Sequence, residues 1–205
     1  MRNLLIAATG IAGALLPWLL PRKADLDAFA LGILALLVLV AGLRCVKPAG
    51  RSTWFVPTDA FVLAGIATVG GRAACALALA GLAGTALGLA GRLPTVRMLF
   101  NAGAVLVATA AAATSYRALG FATAAACFFV VNTALVAAVV ALDRNAGWVA
   151  TWRRTFLPAL PRFGVAALLA AALCGLAAWG PGWMLGVGLL PSLSGRTAET
   201  VTSPR

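Results

Sequence analysis

The chain has 205 residues, of which 62% are hydrophobic and only 10% are charged, and its mean hydropathy is +1.00. A soluble domain typically carries about 25% charged residues, so a chain this apolar needs lipid as its solvent. The net charge of +11 is scattered between apolar runs and forms no contiguous basic face, which argues against a nucleic acid as partner. The composition therefore predicts an integral membrane protein embedded in a lipid bilayer.

Apolar runs divide the chain into predicted membrane helices. Crossing the hydrocarbon core, about 30 Å thick, takes about 20 apolar residues. Six long runs meet or approach this length: 3–20, 28–43, 72–90, 98–116, 121–142 and 163–179. Two shorter runs, 60–69 and 183–190, are each a half-helix, a re-entrant segment or a short span enclosed by its neighbours. The sequence predicts an all-α, polytopic membrane helix bundle over residues 1–191, followed by a disordered polar tail at 192–205.

The basic residues predict how this bundle is oriented. If both short runs cross and the N-terminus is cytoplasmic, twelve of the sixteen Lys and Arg residues face the cytoplasm. The four that face outward are Arg22, Lys23, Arg72 and Arg117. This asymmetry has the sign of the positive-inside rule. Both termini are therefore predicted to be cytoplasmic.

The sequence lacks the residue sets that support most enzyme chemistry. It contains no His. Its four cysteines are isolated from one another: Cys45, Cys75, Cys127 and Cys174. They form no metal-ligand pattern, although a redox pairing among the last three stays open. Thr58 or Asp59 is expected to cap the short helix that follows it, and Asp143 to be solvated at the interface. We predict no enzyme activity and no cofactor.

Two amides, Asn101 and Asn132, lie inside predicted spans. At about 1.5 Å per residue from Arg97 and Leu142, they are about 6 Å and 15 Å deep on adjoining antiparallel helices. A hydrogen bond between them is the favoured interpretation and would contribute about 0.6 kcal/mol. Alternatively, each amide faces a polar cavity that holds a ligand or water.

The longest predicted cytoplasmic loop, RNAGWVATWRRTFLP, has the pattern of an amphipathic helix. Trp148, Trp152 and Phe156 recur every four residues and would share one face, with Arg153 and Arg154 turned away. An aromatic face beside arginines is typical of a helix that lies in the headgroup plane as an anchor. The alternative is a coupling helix that passes the state of the membrane domain to a cytoplasmic partner.

The segment GLAGTALGLAG contains Gly84 and Gly88 four residues apart, with Ala80 one turn earlier. Small residues at this spacing allow two helix backbones to approach closely. We expect this stripe to pack against another helix of the same chain, and a homodimer is the alternative.

Three segments together carry a family resemblance: RLPTVRMLFNAGAVLVATAAAATSYRALG, VVNTALVAAVVAL and WGPGWMLGVGLLPSLSGR. They resemble the N-terminal membrane region that precedes bacterial HD-GYP phosphohydrolase and GGDEF diguanylate cyclase domains. The resemblance implies a membrane sensor in a bacterial inner membrane, with Asn101, Tyr116, Asn132 and Thr133 as candidate ligand or packing residues. The HD, GYP and GGDEF motifs themselves are absent, so the enzyme activity is not implied.

Two functions are compatible with these observations. The first is a non-catalytic sensory or scaffold module that signals to a cytoplasmic enzyme. The second is a small transporter component, a substrate-capturing membrane subunit that works with an energy-coupling subunit. Ala- and Gly-rich helices with arginine-bearing cytoplasmic turns would suit docking to such a subunit.

Overall fold

The computed structural model describes residues 1–23, 27–43, 58–89 and 94–179. Within these ranges the regular elements are all helical. The helices are α1 (Arg2–Leu19), α2 (Ala28–Leu43), α3 (Thr58–Thr68), α4 (Gly71–Gly88), α5 (Thr95–Leu119), α6 (Phe121–Arg144), α7 (Trp148–Thr155) and α8 (Leu160–Ala177), with a 3₁₀ turn at Leu157–Ala159 before the last. The predicted all-α bundle is confirmed. The predicted short run 183–190, the tail at 192–205 and Cys45 lie outside the described residues.

Five helical segments each contain an 18-residue stretch apolar enough to cross a membrane: Arg2–Leu19, Gly71–Gly88, Thr95–Leu119, Phe121–Arg144 and Trp148–Ala177. Large apolar side chains also cover the outside of the bundle, as at Leu4 and Leu168, which are 77% and 73% exposed. Apolar surface of this extent is stable against lipid and unstable against water. The chain is therefore built as a membrane protein.

The short helix α3 lies at the centre of the bundle. Its residues from Ala60 to Ile66 are all buried, which leaves the helix no polar face, and it packs on α2, α4, α5 and α8. Thr58, at its start, contacts the side of α4 at Gly81, about 15 Å along α4 from Gly71. The central helix therefore runs along about half of its neighbour and is enclosed by the helices around it.

The glycine stripe of α4 packs against α2 at backbone distance. A Cβ placed on Gly84 would lie 2.5 Å from the Leu39 carbonyl oxygen, and one on Gly88 would lie 2.6 Å from the Leu43 carbonyl oxygen. Contact this close is available only where no side chain intervenes. Gly84 and Gly88 therefore pack against another helix of the same chain, as the sequence predicts.

The helices α1 and α5 approach each other in the same way. A Cβ on Gly103 would lie 2.6 Å from the carbonyl oxygen of Thr9, and one on Gly13 would lie 2.7 Å from the Gly103 Cα. Two pairs of helices, α2 with α4 and α1 with α5, thus meet backbone to backbone.

The charged residues of α1 and its neighbours gather at two opposite ends of the bundle. At the start of α1, an Arg2 guanidinium nitrogen lies 2.6 Å from a carboxylate oxygen of Asp143. At its other end, the Arg72 guanidinium lies over the Trp18 ring, 4.5 Å from the ring centroid, and Lys23 donates to the last carbonyl of α3. The residues predicted to face the cytoplasm and those predicted to face outward therefore lie near opposite ends of α1.

Candidate functional site

Two indole groups attach α7 to the middle of α6. Trp148 Nε1 donates to the carbonyl oxygen of Ala134 at 3.1 Å, and Trp152 Nε1 donates to Thr133 Oγ1 at 2.9 Å. The Thr133 hydroxyl in turn donates to the Phe129 carbonyl oxygen at 2.6 Å. Because a hydroxyl can both accept and donate, the buried Thr133 side chain forms one hydrogen bond within α6 and one with α7.

The turn before α7 explains how the chain returns to α6. Asn145 ends α6 in the left-handed region, with φ 50° and ψ 42°, a conformation that Asn tolerates better than most residues. The Ala146 N–H then donates back to the Ala141 carbonyl oxygen at 2.9 Å. This closure reverses the chain within a few residues, so α7 begins at Trp148 beside the helix that has just ended.

The arrangement of α7 agrees with the sequence pattern in part. Trp148 and Trp152 share the face that contacts α6, and Arg153 and Arg154 are exposed, as predicted. Phe156 directly follows α7 as its C-cap, where its N–H donates to the Trp152 carbonyl oxygen at 2.9 Å.

The indoles of α7 reach back along α6 from the end at which α7 follows it. They bond at Thr133 and Ala134. These acceptors precede Arg144 by about 15 Å of helix. An indole N–H in apolar surroundings needs an acceptor, and the Thr133 hydroxyl and an α6 carbonyl provide two.

The predicted hydrogen bond between Asn101 and Asn132 is not formed. Asn101 is exposed and Asn132 half-buried, and within the described ranges neither side chain makes a hydrogen bond. The two residues differ in depth by about 9 Å, which the short Asn side chains do not bridge. The polar partner in this part of α6 is the neighbouring Thr133, which Trp152 reaches because an indole extends further than an amide.

The start of α8 packs on the same part of α6. The Phe163 ring lies 4.9 Å from the Phe129 ring and 6.2 Å from the Phe128 ring, centroid to centroid. No residue of α7 itself is fully buried. The segment of α6 between Phe128 and Ala134 therefore contacts both α7 and the start of α8, while α7 stays on the surface of the bundle.

A second feature is a cleft of about 240 Å³ at the end of the bundle predicted to face outward. It lies between the chain after α1, the turn from α3 to α4 and the end of α5. Among the residues lining it are Arg22, Lys23, Arg117 and Tyr116. The structure thus places Tyr116, a candidate from the resemblance, in a cleft that sequence reasoning missed. In the sequence, the hint of this cleft was the group of cationic residues predicted to face outward.

The remaining polar candidates are the residues at the start of α3 and the cysteines. Helix α3 begins at Thr58, so Thr58 and Asp59 lie in its first turn, and neither makes the predicted capping hydrogen bond to a described residue. Of the cysteines in the described ranges, Cys75 is buried, Cys127 and Cys174 are half-buried, and all three are free. Among the residues that the structure describes, no group of His, Cys, Asp or Glu is placed to hold a metal ion.

Comparison with known protein families, with curated proteins and with solved structures finds no match for this chain. The resemblance to the membrane region of HD-GYP and GGDEF proteins therefore rests on its short motifs alone.

Proposed function

We propose that the chain is a non-catalytic membrane sensory module that signals to a cytoplasmic partner through α7. The observation that carries this proposal is the pair of indole hydrogen bonds from Trp148 and Trp152 to Ala134 and Thr133 of α6. They connect a surface helix to the middle of α6, a helix long enough to cross the membrane.

The coupling follows from where the acceptors lie. Because Thr133 and Ala134 belong to the middle of α6, a shift or rotation of α6 displaces the acceptors of both indoles at once. Helix shifts of about 1–2 Å are a common form of switching movement. A surface helix with no buried residue can follow such a shift without repacking a core.

The exposed face of α7 suits an acidic partner surface. Arg153 and Arg154 are exposed, and neither belongs to an ion pair within the described part of the chain. Guanidinium groups bind carboxylates in a bidentate geometry, which gives a contact orientation as well as attraction. The partner we propose is a cytoplasmic signalling enzyme, as the resemblance implies.

The proposed location is a bacterial inner membrane with both termini in the cytoplasm. The excess of Lys and Arg at one side supports this orientation. So does the Arg2–Asp143 pair, which brings the N-terminus to the end of α6 that leads into α7. A reporter fused after Arg205 that is active only in the periplasm would contradict the orientation.

A transporter component is the second candidate. It is favoured by the cleft of about 240 Å³ at the predicted outer end, above the enclosed helix α3. A substrate-capturing subunit would use such a cleft and would deliver its load with an energy-coupling subunit.

Native purification followed by mass spectrometry of everything that co-purifies tests the two functions against each other. The sensory module is expected to retain a cytoplasmic signalling protein, and the T133V variant should retain less of it, because the acceptor for Trp152 is lost. A stoichiometric vitamin-like molecule, or an ATPase pair, would contradict the sensory function and support transport.

A further inference from the structure

Three cationic side chains and several apolar ones line the cleft at the predicted outer end. Arg22 and Lys23 follow the end of α1, and Arg117 lies in the last turn of α5. Leu20 and Ile66 are among the apolar residues of the lining. Like charges held close together repel one another, so such a cluster is stabilised when an anion enters it.

The described carboxylates do not neutralise this cluster. In the ranges that the structure covers, the ion pair formed is Arg2–Asp143, at the opposite end of the bundle. Asp27 lies nearer in the sequence, but its carboxylate accepts the backbone N–H groups of Phe29 and Ala30 and caps α2. Arg22 and Arg117 are therefore without a described anionic partner.

The backbone at the cleft adds donors to these charges. Gly70 and Gly71 line the cleft, and α4 begins at Gly71 without a side chain capping its N-terminus. The first N–H groups of a helix have no partner within the helix and carry partial positive charge. Gly70 has a φ of +91°, a backbone conformation that favours Gly, and it lies beside the Lys23 side chain.

We propose that this cleft binds a phosphate group. Two arginines and a lysine supply charge-assisted hydrogen bonds, the end of α4 supplies backbone donors, and the Tyr116 hydroxyl supplies another polar group. The apolar part of the lining suits a phosphate that carries a hydrocarbon part. The same chemistry is present in the headgroup of a phospholipid and in a small phosphorylated solute.

The test uses the purified full chain in an uncharged maltoside detergent, with no partner protein present, so its outcome is separate from that of the signalling proposal. Phosphatidic acid, compared with diacylglycerol of the same acyl chains, probes a lipid source by native mass spectrometry. Inorganic phosphate, titrated calorimetrically, probes a free source. Binding in the lipid arm alone assigns the headgroup, and binding of inorganic phosphate assigns a solute.

The variants compare charge in the cleft with charge beside it. R22Q/R117Q and the single variant R117Q should each weaken phosphate binding by about tenfold or more, because a hydrogen bond to a charged group is lost. The matched control is R72Q, which removes the same charge at the same end, where Arg72 covers Trp18 outside this cleft. It should change the affinity by less than about threefold.

Two results would overturn the proposal. One is a wild-type chain that binds neither phosphatidic acid over diacylglycerol nor inorganic phosphate. The other is an equal loss of affinity in R72Q and R117Q, which would reduce the effect to general surface charge. Melting temperatures of all variants establish that each is folded, and R117Q serves if the double variant is not.

Discussion

The indole N–H of Trp152 lies 2.9 Å from the hydroxyl oxygen of Thr133, 19 positions earlier in the chain. This bond connects the surface helix α7 to the middle of α6. It also gives Thr133, in the middle of α6, an interhelical partner, a role that the sequence had suggested for Asn132.

We predict that this bond is measurable as a coupling energy. In a double-mutant cycle of W152F and T133V, the coupling free energy of unfolding should be about 0.5–1.5 kcal/mol. The control cycle pairs T133V with W18F, because Trp18 lies at the other end of the bundle, and this pair should be additive within about 0.5 kcal/mol. Additivity of W152F with T133V would contradict the contact.

The two amides are predicted to be independent of each other. Because Asn101 is exposed and shares no hydrogen bond with Asn132, the effects of N101A and N132A on the free energy of unfolding should add within about 0.5 kcal/mol. Coupling well above this value would restore the direct interaction that the sequence suggested.

Gly103 should be far less tolerant of a methyl group than Gly10. In G103A the new Cβ would be 2.6 Å from the Thr9 carbonyl oxygen, so α1 and α5 must separate. We expect a loss of about 1–3 kcal/mol in the free energy of unfolding. G10A is the matched control, since a Cβ there has no atom within 4 Å. Similar losses in both variants would show that α1 does not pack on α5 in this way.

The glycine stripe of α4 predicts a stability effect without a change of assembly. G84A places a Cβ 2.5 Å from the Leu39 carbonyl oxygen, so it should lower the melting temperature, whereas G32A on α2 meets no atom within 4 Å. The molar mass of both variants in detergent, measured by light scattering, should equal that of the wild type. A G84A variant that dissociates from a dimer while keeping its melting temperature would show that the stripe is an intermolecular contact.

Much of the fold could be read from apolar run lengths, because lipid makes hydrophobicity the dominant constraint on every span. The start of α6 at Phe121 was predicted, and α5 was underestimated by three residues at each end, since the polar Thr95 and Arg97 still form helical turns. For the short run 60–69, the sequence left a half-helix, a re-entrant segment and an enclosed span open. The position of α3 depends on helices from other parts of the chain, which the run itself does not specify.

The candidate site was less predictable, because it depends on distances across turns. The pattern of Trp148 and Trp152 indicated a shared face, but their acceptors are set by the αL turn at Asn145 and the reach of an indole. The cleft combines residues from distant segments, such as Arg22 and Arg117. The sequence predicted that both residues face outward, but it did not predict that they line the same cleft.

Site-specific photo-crosslinking from α7 in intact cells tests the central claim most directly. A photoreactive benzoylphenylalanine replaces Val149, which is 57% exposed on α7, so that both arginines are kept. In a control chain it replaces Leu168, which is 73% exposed on α8. We predict one cytoplasmic protein adduct of defined mass from position 149, a reduced yield in the T133V background, and no protein adduct from position 168. Absence of a protein adduct at 149, or the same adduct from both positions, would contradict a signalling role for α7.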